Sequence, residues 1–234
     1  MLRKCFVFEG NTFDFKIKGD DYRLKIFQDE HSESPREWDN LSTMLCWHGR
    51  YNLGDTNAYA NISEALYDLL FNSKHKFNAS MLMQHQGDET NRDRDMRIMD
   101  LLKSEYCIKY LYLYDHSGIS ISTSDFKDRW DSGIVGIVYI NKQDLLKANT
   151  AADDLNWQVI ASNVIEQEVK VYNQYIQGFV YSFTWTKKVI CPTCGNVTEE
   201  VEESMGGFYG NNILKNGMLE YLPEEVAKFF EEEN

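Results

Sequence analysis

The run Ile134-Val135-Gly136-Ile137-Val138-Tyr139-Ile140 is short and almost unbroken in apolar character. Such a segment, lacking the polar alternation of a half-wet strand, reads as the central strand of a sheet. Patterns on either side suit that role. Phe13, Phe15 and Ile17 alternate with Asp14, Lys16 and Lys18, and beyond Gly19-Asp20-Asp21 the residues Tyr22, Leu24 and Ile26 alternate with Arg23 and Lys25. Period two on both sides of a turn predicts a hairpin with one wet face, and Glu9-Gly10-Asn11 predicts a turn before it, so a meander opens the chain. A second hairpin is expected over 108–121, with Asp115-His116-Ser117-Gly118 at its tip. Phe179, Tyr181, Phe183 and Trp185 alternate with polar residues and predict a further strand.

Helical spacing fills the intervals. Asn61-Ile62-Ser63-Glu64 has capping-box spacing ahead of Ala65, Leu66, Leu69 and Leu70. A helix is expected from about 90 to 104 with Met96, Met99 and Leu102 inward, and Asn141 can cap a short one. The longest is expected over 153–177, on Leu155, Val159, Ile165, Val169, Tyr172 and Ile176, and ends where Gly178 can take a left-handed conformation. Pro223 followed by Glu224 and Glu225 begins a terminal amphipathic helix. These elements predict an α+β fold: a largely antiparallel sheet, a long packing helix, and a small C-terminal Cys-x-x-Cys and acidic helical appendage. The expected division is a main domain over 1–188 and an appendage over 189–234. With 43% hydrophobic residues, 14% aromatics and three prolines among 234, the chain is expected to be ordered and to bury about 70% of its unfolded surface.

The formal net charge is −13, and ten glutamates against Lys215 and Lys228 place −8 of it after residue 198. An acidic balance disfavours direct contact with a phosphate backbone or an anionic membrane. No apolar run approaches the ~20 residues that span a bilayer. The five cysteines are odd in number and no leader pattern precedes them, so free thiols in a reducing cytoplasm are expected.

The densest chemistry lies between Ser34 and Asp55, where a proline, two tryptophans, a thiol, an imidazole, two arginines and carboxylates crowd together with little apolar periodicity. Asp39, His48, Asp115, His116 and Asp131 form the candidate catalytic set, with Glu37 and Asp55 beside them, because carboxylates with imidazole serve general acid–base chemistry or bind a divalent cation. The competing reading makes the same aspartates turn caps and Arg36 and Arg50 ordinary ion-pair partners. Cys46 and His48, two apart, would share a strand face, although a buried inert thiol accounts for Cys46 equally. Arg36, Glu37, Trp38, Arg50 and Trp130 are candidate binding residues, joined by Phe208 and Tyr209 in an expected flexible aromatic loop over 206–210. Cys191-Pro192-Thr193-Cys194-Gly195 is shaped like half of a zinc site; structural zinc wants four ligands, so Cys5, Cys107 or a second copy would have to complete it. No phosphate loop, dinucleotide fingerprint or metalloprotease helix is present.

Ser34-Pro35-Arg36-Glu37-Trp38-Asp39-Asn40, Tyr51-Asn52-Leu53-Gly54-Asp55, Leu113-Tyr114-Asp115-His116-Ser117-Gly118, Trp130-Asp131-Ser132-Gly133 and Tyr172-Asn173-Gln174-Tyr175 together resemble a family of uncharacterised accessory proteins encoded by bacteriophages and related mobile elements. The likeness runs from the first hairpin to the strand after the long helix. It implies an origin, a place in the host cytoplasm and a host or phage protein complex as partner, with blockade of a host defence system a common role for such genes. It implies no mechanism. A small metal-assisted hydrolase or nucleotide-processing enzyme is the alternative reading.

Overall fold

The computed structural model describes residues 11–232. Cys5 and the turn expected at Glu9-Gly10 lie outside them. The fold is α+β, as the periodicities predict, with two four-stranded antiparallel sheets in two compact units rather than one sheet. Of the described residues, one unit comprises 11–34 and 174–232, the other 35–173.

In the first unit β1 (Asn11–Ile17), β2 (Asp20–Gln28), β7 (Val180–Ile190) and β8 (Val197–Tyr209) lie in the order β1-β2-β7-β8. Lys18 and Gly19 turn the first hairpin with φ of 54° and 95°, the pair of positive angles that matches strand twist in a two-residue turn. The apolar face is continuous across the strands because Phe13 pairs with Leu24 and Leu24 with Trp185. Tyr22 stacks on Trp185 at 5.1 Å, and α6 (Glu224–Glu232) brings Phe230 to 5.0 Å from Phe13.

The division expected at residue 188 does not mark a boundary: β7 runs through it, and β8 pairs back along β7. The acidic residues Glu199–Glu203 are part of β8, and so is most of the segment expected to be a flexible aromatic loop. Tyr209 donates its hydroxyl hydrogen to the Glu33 carbonyl at 2.6 Å. Phe208 is 5% exposed, packed in the unit's core with Phe183 at 5.7 Å, and is therefore no surface anchor.

In the second unit β3 (Thr43–Cys46), β4 (Tyr106–Asp115), β5 (Ile119–Ser122) and β6 (Ser132–Asn141) take the order β3-β6-β4-β5, which makes the apolar run an interior strand as expected. Gly136 interrupts that run for a steric reason: an added Cβ would stand 2.0 Å from the Leu45 carbonyl oxygen. The helices are α1 (Ile62–Phe71), α2 (Ala79–Leu82), α3 (Asn91–Leu102), α4 (Lys142–Ala148) and α5 (Trp157–Ile176), the last crossing into the other unit at residue 174. Asn61 caps α1, Thr90 and Asp93 form a reciprocal capping box on α3, and Asn141 caps α4, each satisfying amides that the first turn leaves without a partner.

Two inward faces differ from the sequence reading. Asp95, Ile98 and Leu102 are buried on α3 whereas Met96 is exposed. Leu155 precedes α5 and is exposed, as is Val159; Trp157, Ala161, Ile165, Val169 and Tyr172 form the stripe. Both differences come from phase, since several apolar residues compete for one helical face and the elements packed against it, α1 foremost for α3, accept only one. Gly178, at φ 73°, closes the helix end: its N–H reaches the Tyr175 carbonyl and the Phe179 N–H the Gln174 carbonyl, the paired bonds of a Schellman motif.

Candidate functional site

The Ser34–Asp55 stretch is organised by Arg36. Its guanidinium makes two parallel bonds to Asp55, Nε to Oδ1 and Nη2 to Oδ2, both 2.8 Å, and a third to the Ser42 carbonyl at 2.7 Å. Glu168 of α5 stands 3.4 Å from Nη1 and accepts from the amides of Leu41 and Ser42 and from the Ser42 hydroxyl. The second Asp55 oxygen also accepts from the Met44 amide at 2.8 Å. Burial works against the charge on Arg36, but Asp55 and then Glu168 overcome it and hold the group above its ordinary value. With its side chain 5% exposed, Arg36 is an internal clamp and not the surface binding group expected. Glu168 was not singled out in the sequence. Its signal there is position, one residue before Val169 and three after Ile165, hence beside the buried stripe.

The clamp sets the start of β3, and the chain leaving that strand forms one wall of a cleft of about 330 Å³ lined by Trp47, His48, Arg50, Asp115, Trp130 and Asp131 among others. His48 Nδ1 accepts from the amides of Arg50 and Tyr51, both at 3.3 Å, and its ring stacks on Tyr51 at 4.9 Å. That tautomer leaves Nε2 carrying the hydrogen in the neutral ring. Arg50 lies over the other aromatic, 5.5 Å from the Tyr51 centroid, and its Nη2 pairs with Asp115. Tyr51 donates to the same carboxylate at 3.4 Å.

The opposite wall comes from the hairpin tip and the loop into β6. Asp115 ends β4 and its amide bonds the Asp131 carbonyl at 2.8 Å. Asp128 accepts from the amides of Trp130 and Asp131, both at 2.9 Å; these two bonds, the Asp131 one foremost, hold its carboxyl below the usual range and keep the turn charged. The turn presents Trp130, 93% exposed. His116 Nδ1 sits 3.0 Å from Asp131 Oδ2.

Four of the five catalytic candidates thus meet around one cleft: His48, Asp115 and Asp131 line it, and His116 is bound to Asp131. Asp39 does not line it. It is exposed, like Glu37 and Trp38, in and after the 3-10 turn Pro35–Glu37, which Asn40 ties by donating to the Pro35 carbonyl at 2.7 Å. The Asp115-His116-Ser117 series is hairpin chemistry, with Ser117 at φ 53° and the His116 amide bonded to the Gly118 carbonyl. Cys46 is no nucleophile here: burial, aided by the charge of Asp55, pushes its thiol up to about 12, far from the thiolate that attack requires.

Among the described residues no group of three or more His, Cys, Asp or Glu side chains is placed to hold a metal ion, so the carboxylate and imidazole groups of the cleft do not form a ready cation cage. Cys191 and Cys194 stand at the β7–β8 tip, where hydrogen bonds from the Cys194 and Thr193 amides lower the Cys191 thiol from its ordinary value. No helix among the described residues is long and apolar enough to cross a membrane. Comparison with protein families, with curated proteins and with solved structures returns no match.

Proposed function

We propose that this chain is a phage-encoded accessory protein of the host cytoplasm that binds a macromolecular partner, a component of a host defence system, through the rim of the Trp47–Trp130 cleft. The observation that carries the reading is Trp130: a large aromatic side chain, 93% exposed, on backbone held by the Asp128 turn, beside Arg50 bonded to Asp115 and His116 in contact with Asp131. An exposed tryptophan on a bonded turn, rimmed by polar groups that already have partners, suits an anchor that a partner's pocket desolvates. The phage origin rests on the sequence resemblance. The alternative, a hydrolase or nucleotide-processing enzyme, draws its support from the convergence of His48, Asp115 and Asp131 on one cleft.

Trp130→Ala and the Asp115→Ala, His116→Ala pair separate the two. The tagged chain is first used to capture its partner from defence-proficient bacterial cells; binding to that partner, titrated with purified components, is expected to weaken by roughly 30-fold or more on loss of a central tryptophan, and to survive the paired substitution within about 5-fold because contacts made by the exposed Arg50 and His116 side chains contribute little. Full binding by Trp130→Ala would overturn the rim assignment. Turnover of a nucleotide or phosphoester that the paired substitution abolishes would establish the enzyme instead.

A further inference from the structure

Strands β7 and β8 extend past the rest of their sheet as a two-stranded arm. Its end is Cys191-Pro192-Thr193-Cys194-Gly195, closed by a bond from the Gly195 amide to the Cys191 carbonyl at 2.9 Å and from the Cys191 amide to the Asn196 carbonyl at 2.8 Å, with Gly195 at φ 71°. Both thiols of this turn are free, Cys194 exposed and Cys191 partly so. Two free cysteines separated by two residues on a tight, backbone-closed turn have the spacing with which one turn supplies two thiolate ligands to a soft cation. Two sulfurs fill half of a tetrahedron. Cys46 and Cys107 belong to strands of the other unit, and no group of three metal-ligating side chains is found among the described residues.

We propose that the arm tip binds zinc between two copies of this chain, each supplying Cys191 and Cys194, so that the metal centre is also a dimer contact. Two further features fit a second copy as the occupant. Directly behind the turn Ile190 and Val197 face each other across the ladder and are 64% and 60% exposed, an apolar pair that a mating tip would cover. And although the chain carries a net charge of −13, no carboxylate occurs from Lys187 to Thr198, so two tips can approach without the repulsion that the glutamates of β8 would otherwise impose. A tetrathiolate zinc centre carries a charge of about −2, which a tip free of acids tolerates.

The test uses the full chain, purified under reducing conditions and loaded with zinc alone, with bound metal measured by mass spectrometry and assembly by light scattering. The expected result is about half a zinc per chain with dimers that chelation returns to monomers, as a four-sulfur site shared by two chains requires. Cys191→Ser with Cys194→Ser is expected to lose both zinc and dimer and to keep the circular dichroism of the parent, because the tip is exposed and packs against no core. Cobalt substitution supplies a second readout, an absorption spectrum of tetrahedral thiolate coordination. Monomers with no zinc overturn the proposal. So do monomers holding one zinc each, which would bring the remaining ligands from the same chain, and a serine double variant that retains the dimer.

Discussion

Arg36 and Arg50 leave the same irregular stretch, and each pairs with an aspartate, yet the two pairs do opposite kinds of work. The aspartates are covered alike, Asp55 24% and Asp115 21% exposed, but the Arg36 side chain is 5% exposed and shared with a second carboxylate, Glu168, whereas the Arg50 side chain is 70% exposed. Removing Arg36 leaves two largely covered carboxylates facing each other without their cation; removing Arg50 leaves one carboxylate, still bonded by the Tyr51 hydroxyl, and takes away a cation that was itself mostly in solvent. The clamp therefore belongs to folding, because it fixes the entry to β3, and the exposed pair is free to change with whatever the cleft meets.

The largest effect should come from the clamp. Arg36→Ala strands Asp55 and Glu168 side by side and is expected to lower unfolding free energy by about 3–5 kcal/mol, the range for a broken buried pair, as read from urea midpoints. A loss below ~1 kcal/mol would erase the distinction between the two arginines. Next comes the backbone that carries Asp55. Gly54 sits at φ 72°, and an added Cβ would lie 2.5 Å from the Met44 carbonyl oxygen, while its amide bonds the Tyr172 hydroxyl at 2.9 Å. Gly54→Ala is expected to cost roughly 2–3 kcal/mol from the left-handed angle and the overlap together. A double-mutant cycle with Arg36→Ala should show the two costs to be far from additive, since both act on the placement of one carboxylate.

How much of this was legible beforehand depended on range. Period-two alternation exposed the first hairpin, and the unbroken Ile134–Ile140 run exposed the interior strand, because both signals lie within a few residues. Asn61, Thr90 and Asn141 were readable as helix starts for the same reason. The phase of α3 and α5 was not: Met96 and Val159 fit a helical stripe as well as the residues actually buried, and only the neighbouring elements choose, α1 foremost for α3. Phe208 failed differently. Glycines on both sides suggested a loop, but β7 offered the segment an edge to pair with, and pairing buried the ring. In the cleft, His48, Asp115, His116 and Asp131 were selected by residue type alone and do come together. Nothing in their spacing revealed that Arg50 and Tyr51 would hold Asp115, or that Arg36 would be consumed by a carboxylate from a helix far along the chain.

The smallest effect closes the comparison. Arg50→Ala removes a cation from the cleft wall, and its stability cost is expected to stay within ~1 kcal/mol because the Arg50 side of the pair is in solvent and gains little over a hydrated charge. Its stacking over Tyr51 adds at most about the same again at an exposed site. The informative readout is therefore the accessibility of Asp115. With Arg50 gone, that carboxylate keeps only the Tyr51 hydroxyl from this wall, and a cationic ligand or partner should gain affinity for the cleft while an anionic one loses it. If unfolding free energy instead falls by as much as it does for Arg36→Ala, Arg50 is part of the scaffold after all, and the rim of the cleft is no more adaptable than the clamp beneath it.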